Sequence, residues 1–184
     1  MMQYPAHLKP EHQFLRVVYA GVLTIAEPIE TFSVWCITGT AAILGLLVVN
    51  IDSVSKIISA SGLRWGIVLL TVSMLAGAVA KQYGIVVKRG IALIDAMYAE
   101  IETPGGAAAM DNMTVSTEEL QEQMAAPFLW PFKNIMLRAA RRGAADPIAG
   151  EKRFVKMLCV QMYASYIQMA CAAAGLLLLA FGIR

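Results

Sequence analysis

The sequence predicts an all-α integral membrane protein with three transmembrane helices, an N-terminal interfacial helix and a helical cytoplasmic segment between spans two and three. Of its 184 residues, 58% are hydrophobic and 15% are charged. Soluble domains average about 45–50% apolar and about 25% charged residues. The apolar residues are also concentrated in three long stretches that are almost free of charge. Composition and clustering therefore predict the same class.

These three stretches are the predicted spans. A bilayer core about 30 Å thick requires roughly 20 residues of helix at about 1.5 Å per residue. The first span, residues 31–51, and the third, residues 157–183, contain no charged side chain. The second span, residues 65–87, reaches full length if Lys81 extends its ammonium group to the headgroups. Buried helices of soluble proteins rarely stay apolar over such lengths.

The N-terminal region contains a shorter apolar stretch, residues 14–26. A spanning helix here would carry the acidic residues that follow it toward mid-membrane, which is energetically costly. We therefore expect residues 11–26 to form an interfacial helix, followed by a kink at Pro28 into the first span. A re-entrant or spanning segment is the alternative.

Glu27 and Glu30 form an acidic pair at the start of the first span. We expect both carboxylates to be solvated at the interface, where negative charge favours the N-terminus of the following helix. The alternative is a carboxylate pair at the entry of a pore or proton path.

The distribution of basic residues predicts the orientation. Lysine and arginine near span ends favour the cytoplasmic side. They cluster between spans two and three, and the connection between spans one and two carries only Lys56 and Arg64. We therefore expect a cell inner membrane protein with a cytoplasmic N-terminus, and a short external connection rich in serine and glycine over residues 52–63.

Four segments follow from these spans: an N-terminal segment with the interfacial helix, a transmembrane hairpin, a helical cytoplasmic region and a C-terminal transmembrane helix. They cover residues 1–30, 31–87, 88–156 and 157–184. In the cytoplasmic region, the helix of span two is predicted to continue to residue 101. Its apolar residues repeat like a coiled-coil seam that packs within one protomer or between protomers; they are Val87, Ile91, Ile94, Tyr98 and Ile101.

The rest of the cytoplasmic region alternates loop and helix signals. Residues 103–113 are rich in glycine and are expected to form a flexible loop. Ser116 and Glu119 have the spacing of a capping box that begins a short acidic helix. An aromatic cluster and a basic amphipathic helix over residues 132–142 come next, and together they predict a membrane-surface anchor. The anchor residues are Phe128, Trp130, Phe132, Arg138, Arg141 and Arg142; the alternative is that the aromatic side chains pack on the protein's own helices.

The third span contains a polar stripe formed by Gln161, Ser165 and Gln168. Polar groups facing lipid would be costly, so this stripe should face protein or water. Interhelical hydrogen bonding is one interpretation, and a water-lined path in an oligomer is the other. Small residues four positions apart also mark possible helix contacts in each span; these pairs are Ala41 and Gly45, Ser73 and Gly77, and Cys171 and Gly175.

The sequence contains no recognisable catalytic motif. Its two histidines, His7 and His12, are too few for a metal site, and a net charge of +2 gives no reason to expect nucleic acid. We therefore expect neither cofactor nor metal, and no enzymatic activity. The expected function is that of a structural or accessory subunit of a membrane assembly, such as a secretion, conjugation or envelope complex. The alternative is a homo-oligomeric channel or pore lined by the polar stripe, and the expected partners are the lipid bilayer with further copies or other membrane subunits.

Overall fold

A computed structural model of the chain describes residues 9–101, 103–112, 114–146 and 148–183. These residues form α-helices joined by short turns, and an isolated β-bridge pairs Ile58 with Ile183. The predicted all-α class is therefore confirmed for the described residues. In chain order the helices are α1 Pro10–Leu23, α2 Ala26–Val49, α3 Ile51–Ile57, α4 Ala60–Ile101, α5 Pro104–Asp111, α6 Thr117–Ala125, α7 Phe132–Ala145 and α8 Ala149–Phe181.

Three helical stretches are long and apolar enough to cross a membrane: Pro10–Val49, Ala60–Ile101 and Ala149–Phe181. They contain the second predicted span completely and all but the last two residues of the first and the third. Helix α4 has 42 residues, which corresponds to about 63 Å at about 1.5 Å per residue. This length is roughly twice the thickness of a bilayer core, so the helix of the second span does continue well beyond it, as predicted.

The break in the N-terminal helical stretch does not occur at Pro28. Helix α1 ends at Leu23 and α2 begins at Ala26, and Ile25 between them keeps helical backbone angles of φ −67° and ψ −19°. Pro28 instead lies in the first turn of α2, where a missing N–H group removes little hydrogen bonding. A proline disfavours helix at the carbonyl four residues before it, here Thr24 in the break, so the interruption lies one turn before the predicted position; α2 begins five residues before the predicted span.

The predicted connection over residues 52–63 is also mostly helical. Helix α3 occupies Ile51–Ile57, and α4 has already begun at Ala60. Val54 and Ile58 are partly buried against an apolar cluster formed by Leu63, Leu70 and Leu179. Val54 lies within α3, and Ile58 is its C-cap in extended backbone. Burial of these two side chains against one cluster favours an ordered structure in this serine-rich sequence.

The glycine-rich stretch after α4 forms helix α5 rather than the predicted loop. Thr103 Oγ1 accepts a hydrogen bond of 3.0 Å from the Gly106 backbone N–H, which is the geometry of an N-terminal cap. Pro104 occupies the first helical position, where its ring is well tolerated. Three consecutive alanines at residues 107–109 then favour helix.

Replacing Thr103 with alanine is expected to loosen α5 by removing this cap. The expected cost is about 1 kcal/mol of local helix stability. Hydrogen exchange of residues 104–111 should therefore accelerate, and exchange in α6 should stay unchanged. Serine at the same position retains a hydroxyl and should preserve slow exchange; equally fast exchange in Thr103→Ser and Thr103→Ala would contradict the capping role.

Helices α6 and α7 agree with the sequence prediction. Ser116 Oγ accepts a hydrogen bond of 3.2 Å from the Glu119 N–H, so the hydroxyl half of the predicted capping box is present. Helix α7 covers Phe132–Ala145, three residues beyond the predicted basic helix, and it packs against α6.

The chain divides into two compact units. The first unit contains residues 9–22 and Arg89–Val155, and the second contains Leu23–Lys88 and residues 156–183. The second unit is built from α2, α3, the part of α4 that ends at Lys88, and most of α8. Its apolar cluster lies near the α3–α4 turn.

Candidate functional site

The second unit buries polar side chains among otherwise apolar helices. Those with almost no exposed surface are Ser33 and Thr40 of α2, Ser73 of α4, and Gln161, Ser165 and Gln168 of α8. Both glutamines are 0% exposed. The polar stripe predicted in the third span therefore faces the protein's own helices.

Gln168 connects α8 to both other helices. Its Nε2 donates a hydrogen bond of 2.9 Å to the Ser33 carbonyl oxygen in α2. Its own backbone carbonyl accepts a bond of 2.8 Å from Ser73 Oγ in α4. Hydrogen bonds between helices are a principal source of association where the hydrophobic effect is absent.

Gln161 makes the same kind of contact two turns earlier. Its Nε2 donates a hydrogen bond of 2.8 Å to the Ala26 carbonyl oxygen. Between the two glutamines, the hydroxyl oxygens of Ser33 and Ser165 are 2.8 Å apart and share a hydrogen bond. The three residues of the stripe thus all form hydrogen bonds between helices.

Two glycines of α4 make room for the glutamine side chains. A Cβ atom at Gly77 would overlap Gln168 Nε2 and lie 2.7 Å from Ile37 Cγ1. A Cβ atom at Gly84 would lie 2.7 Å from Gln161 Nε2. We call the two contacts the glutamine layers: one combines Ser33, Gly77 and Gln168, and the other combines Ala26, Gly84 and Gln161. Seven residues separate corresponding members on every helix.

Each glutamine layer leaves one polar atom unused. The side-chain oxygens Oε1 of Gln161 and Gln168 are buried and have no hydrogen-bond partner among the described residues. An unpartnered buried acceptor typically costs about 1–3 kcal/mol. The stabilisation from each Nε2 hydrogen bond is therefore partly offset by the cost of burying Oε1 of the same side chain.

The small-residue pairs predicted from sequence have different surroundings. Ser73 and Gly77 are buried within the polar core, and Gly175 packs against Leu70. Ala41 and Gly45 of α2 are exposed, and a Cβ atom at Gly45 would meet nothing within 4 Å. The surface of α2 at Ala41 and Gly45 is therefore not covered by other described residues.

The two acidic residues near the start of α2 occupy different environments. Glu27 is exposed, and its Oε1 lies 2.7 Å from Lys88 Nζ of α4. Glu30 is half-buried, with its Cβ 3.1 Å from the position that a Cβ of Gly84 would take. Sequence analysis did not identify Lys88 as the partner of Glu27.

An apolar groove also lies on the second unit, between α2 and α8. Its volume is about 350 Å³. Ser165 contributes a polar side chain to the lining, and its hydroxyl is already bonded to Ser33. The groove therefore suits hydrocarbon; its lining residues are Ile25, Pro28, Ile29, Phe32, Met162, Ser165, Tyr166 and Met169.

The first unit contains a buried ion pair that sequence analysis missed. Arg16 Nε of α1 lies 2.7 Å from Glu151 Oε1 of α8, with 9% and 12% of the two side chains exposed. The guanidinium carbon of Arg16 also lies 4.1 Å from the ring centroid of Tyr98 in α4, a cation–π contact. One arginine thus connects three helices of this unit.

A second ion pair lies just before α8. Asp146 Oδ2 is 2.6 Å from Lys152 Nζ, and Asp146 Oδ1 accepts a bond of 3.1 Å from the Ile148 N–H. The hydrogen bond from Lys152 and then that from Ile148 hold the pKa of Asp146 below its ordinary value. The turn between α7 and α8 is therefore organised around a carboxylate.

The predicted membrane-surface anchor lies in the first unit. Phe128 and Trp130 are exposed in the turn between α6 and α7, and Arg138 and Arg141 are exposed on α7. The side chains of Phe132 and Arg142, and all of His7, lie outside the described part of the chain. Within that part, no group of three or more histidine, cysteine or acidic residues is placed to hold a metal ion.

The fold and the polar core define an all-helical protein with three helices that could cross a membrane, joined by side-chain to backbone hydrogen bonds. Comparison with protein-family models, with curated proteins and with solved structures finds no match for this chain.

Proposed function

We propose that this chain is a multi-pass inner-membrane protein that acts as a structural or accessory subunit of a larger membrane assembly. The observation that carries the proposal is the contrast between a polar core used within the chain and an α2 surface that no described residue covers. The buried polar bonds hold helices together, and the open surface offers a contact to another helix.

The exposed surface of the second unit supports a membrane location. Its outward-facing residues include large apolar side chains such as Trp35, Val49 and Leu75, which are 74%, 82% and 65% exposed. So many large apolar side chains exposed to this extent are unusual on soluble monomers. Hydrocarbon would cover them at no cost, and the backbone is already satisfied within the helices.

Helix α2 is the best candidate for contact with a partner. It buries only Ala26, Ser33 and Thr40 among its 24 residues. Ala41 and Gly45 lie on its open surface, and small residues four positions apart allow two helices to approach closely in a membrane. The partner is a second copy of this chain or a helix of another subunit.

We rank a pore lined by the polar stripe below this role. Such a pore requires water to reach Gln161, Ser165 and Gln168, and these side chains have almost no exposed surface in the described protomer. The two glutamines donate to backbone carbonyl oxygens of α2, and Ser165 shares a hydrogen bond with the Ser33 hydroxyl.

Cysteine cross-linking in native membranes tests the proposed contact. In a background where Cys36, Cys159 and Cys171 are replaced by alanine, Gly45→Cys labelled with a maleimide–benzophenone reagent and irradiated is expected to give a strong cross-linked adduct. The adduct has either twice the mass of the chain or the mass of the chain plus one partner. Ala170→Cys on the exposed surface of α8 is the matched control and should give little adduct.

The same preparation separates two kinds of failure. Absence of adducts from Gly45→Cys, in protein that resists alkaline extraction from the membrane, would rule out the α2 contact alone. Recovery of the unmodified chain in detergent-free buffer would rule out the membrane location.

A further inference from the structure

The turn between α6 and α7 exposes a cluster of large apolar side chains. Leu129 and Trp130 are 81% and 80% exposed, among the highest values in the described chain, and Phe128 beside them is also exposed. On α7, Ile135 and Met136 continue the apolar surface. Side chains of this size are normally covered by a partner or by lipid.

The charge along the segment that carries this cluster has one sign. From residue 126 to residue 145 the chain contains no acidic residue, and Lys133, Arg138 and Arg141 are exposed on α7. Arg138 and Arg141 are three residues apart and so lie on one helical face. The acidic side chains Glu118, Glu119 and Glu122 belong to the preceding helix α6.

We propose that the α6–α7 turn and α7 bind an anionic lipid surface, an inference that rests on the membrane location proposed above. Trp130 and Leu129 enter the headgroup region, where the indole ring combines apolar contact with a polar N–H group. The arginines contact lipid phosphates. A helix with adjacent apolar and basic faces is the form that lies in the plane of an interface.

Charge complementarity favours lipid over a protein partner. The basic residues are spread along one helix, with no acidic residue among them in the sequence. The phosphates of a lipid surface are distributed over a plane, so basic side chains at separate positions along the helix can each contact one. The occupant is therefore an anionic bilayer surface, with headgroups of the phosphatidylglycerol type.

Tryptophan fluorescence in reconstituted vesicles tests the proposal. The full chain is prepared with Trp130 as its sole tryptophan, through Trp35→Phe and Trp65→Phe. It is reconstituted in phosphatidylcholine alone or in mixtures with phosphatidylglycerol, together with phosphatidylcholine brominated near the headgroup. Trp130 is expected to be quenched, and its quenching should increase with the phosphatidylglycerol fraction.

Charge neutralisation provides a matched comparison. Arg138→Gln with Arg141→Gln should reduce the ratio of lipid-bound to unbound turn by about fivefold for each arginine removed. Lys56→Gln with Arg64→Gln removes the same charge from exposed positions in the second unit and should leave Trp130 quenching unchanged.

Companion proteins with Trp35 or Trp65 as the sole tryptophan separate this inference from the membrane location. Quenching of Trp35 without quenching of Trp130 in anionic vesicles would overturn the proposed lipid contact and leave the membrane location standing. Equal Trp130 quenching in neutral and anionic vesicles would overturn the role of charge. Lack of quenching at all three tryptophans would overturn both proposals.

Discussion

Replacing Gly77 with alanine is expected to lower the free energy of unfolding by about 1–3 kcal/mol, the range for forcing an extra methyl group into a packed core. The new Cβ would overlap Gln168 Nε2 and crowd Ile37. Either Gln168 gives up its bond to the Ser33 carbonyl, or α4 moves away from α2 and α8. Denaturant unfolding of the full chain in detergent micelles, followed by circular dichroism, measures the change.

Two further variants show whether the glutamine layer is the cause. Gly39→Ala introduces the same methyl group in α2 where nothing lies within 4 Å, so the higher helix propensity of alanine should leave stability unchanged or slightly raised. Combining Gly77→Ala with Gln168→Ala should cost less than the sum of the single changes, because the shortened side chain makes space. Strict additivity would show that the two residues do not interact.

Replacing Glu151 with methionine is expected to destabilise the first unit by about 3–5 kcal/mol, because Arg16 would remain buried without its counter-charge. The affected contact joins α1 to the start of α8. Hydrogen exchange of residues 10–22 should accelerate strongly, since the unpaired guanidinium favours release of α1 into solvent.

The double change Arg16→Met with Glu151→Met should recover much of this loss, because a buried ion pair is often replaceable by apolar side chains of similar size. Glu27→Gln is the exposed counterpart. It removes the Glu27–Lys88 pair, whose side chains are 67% and 57% exposed, and should cost at most about 1 kcal/mol. A similar loss for Glu27→Gln and Glu151→Met would contradict the importance of burial.

The spans were predictable because their lengths follow from the apolar runs, and all three runs coincide with long helices except for the last two residues of the first and third. Their ends were less predictable. Helix α8 begins eight residues before the predicted third span. Charged residues show where a helix leaves the apolar region, but they do not end the helix; here they are Glu151, Lys152 and Arg153. Helix α5 was missed because Gly105 and Gly106 were given more weight than the Thr103–Pro104 cap.

The polar core was predictable in part. The spacing of Gln161, Ser165 and Gln168 indicates a shared face, and the cost of polar groups in lipid indicates that this face is covered. The acceptors could not be identified, because they are backbone carbonyl oxygens that every residue possesses. One signal was present but unused: Gly77 and Gly84 have the same separation as Gln161 and Gln168.

The ion pair between Arg16 and Glu151 was beyond sequence analysis, because the two residues are far apart in the chain. An arginine within an apolar stretch does indicate a buried partner. Several acidic residues could have served, and only the packing of α1 against α8 within the first unit selects Glu151.

The seven-residue repeat of the glutamine layers makes helix register ambiguous. Sliding α8 by seven residues, about 10.5 Å at about 1.5 Å per residue, would place Gln161 beside Gly77 and the Ser33 carbonyl. The bond of 2.7 Å from Ser59 N–H to the Gly182 carbonyl removes this ambiguity. Gly182 follows the last residue of α8 and so has a free carbonyl, whereas Gly175, seven residues earlier, lies inside the helix, where its carbonyl is already used. This backbone contact, together with the Ser33–Ser165 bond that the slide would replace with Leu158 opposite Ser33, thus fixes the vertical alignment of the two layers.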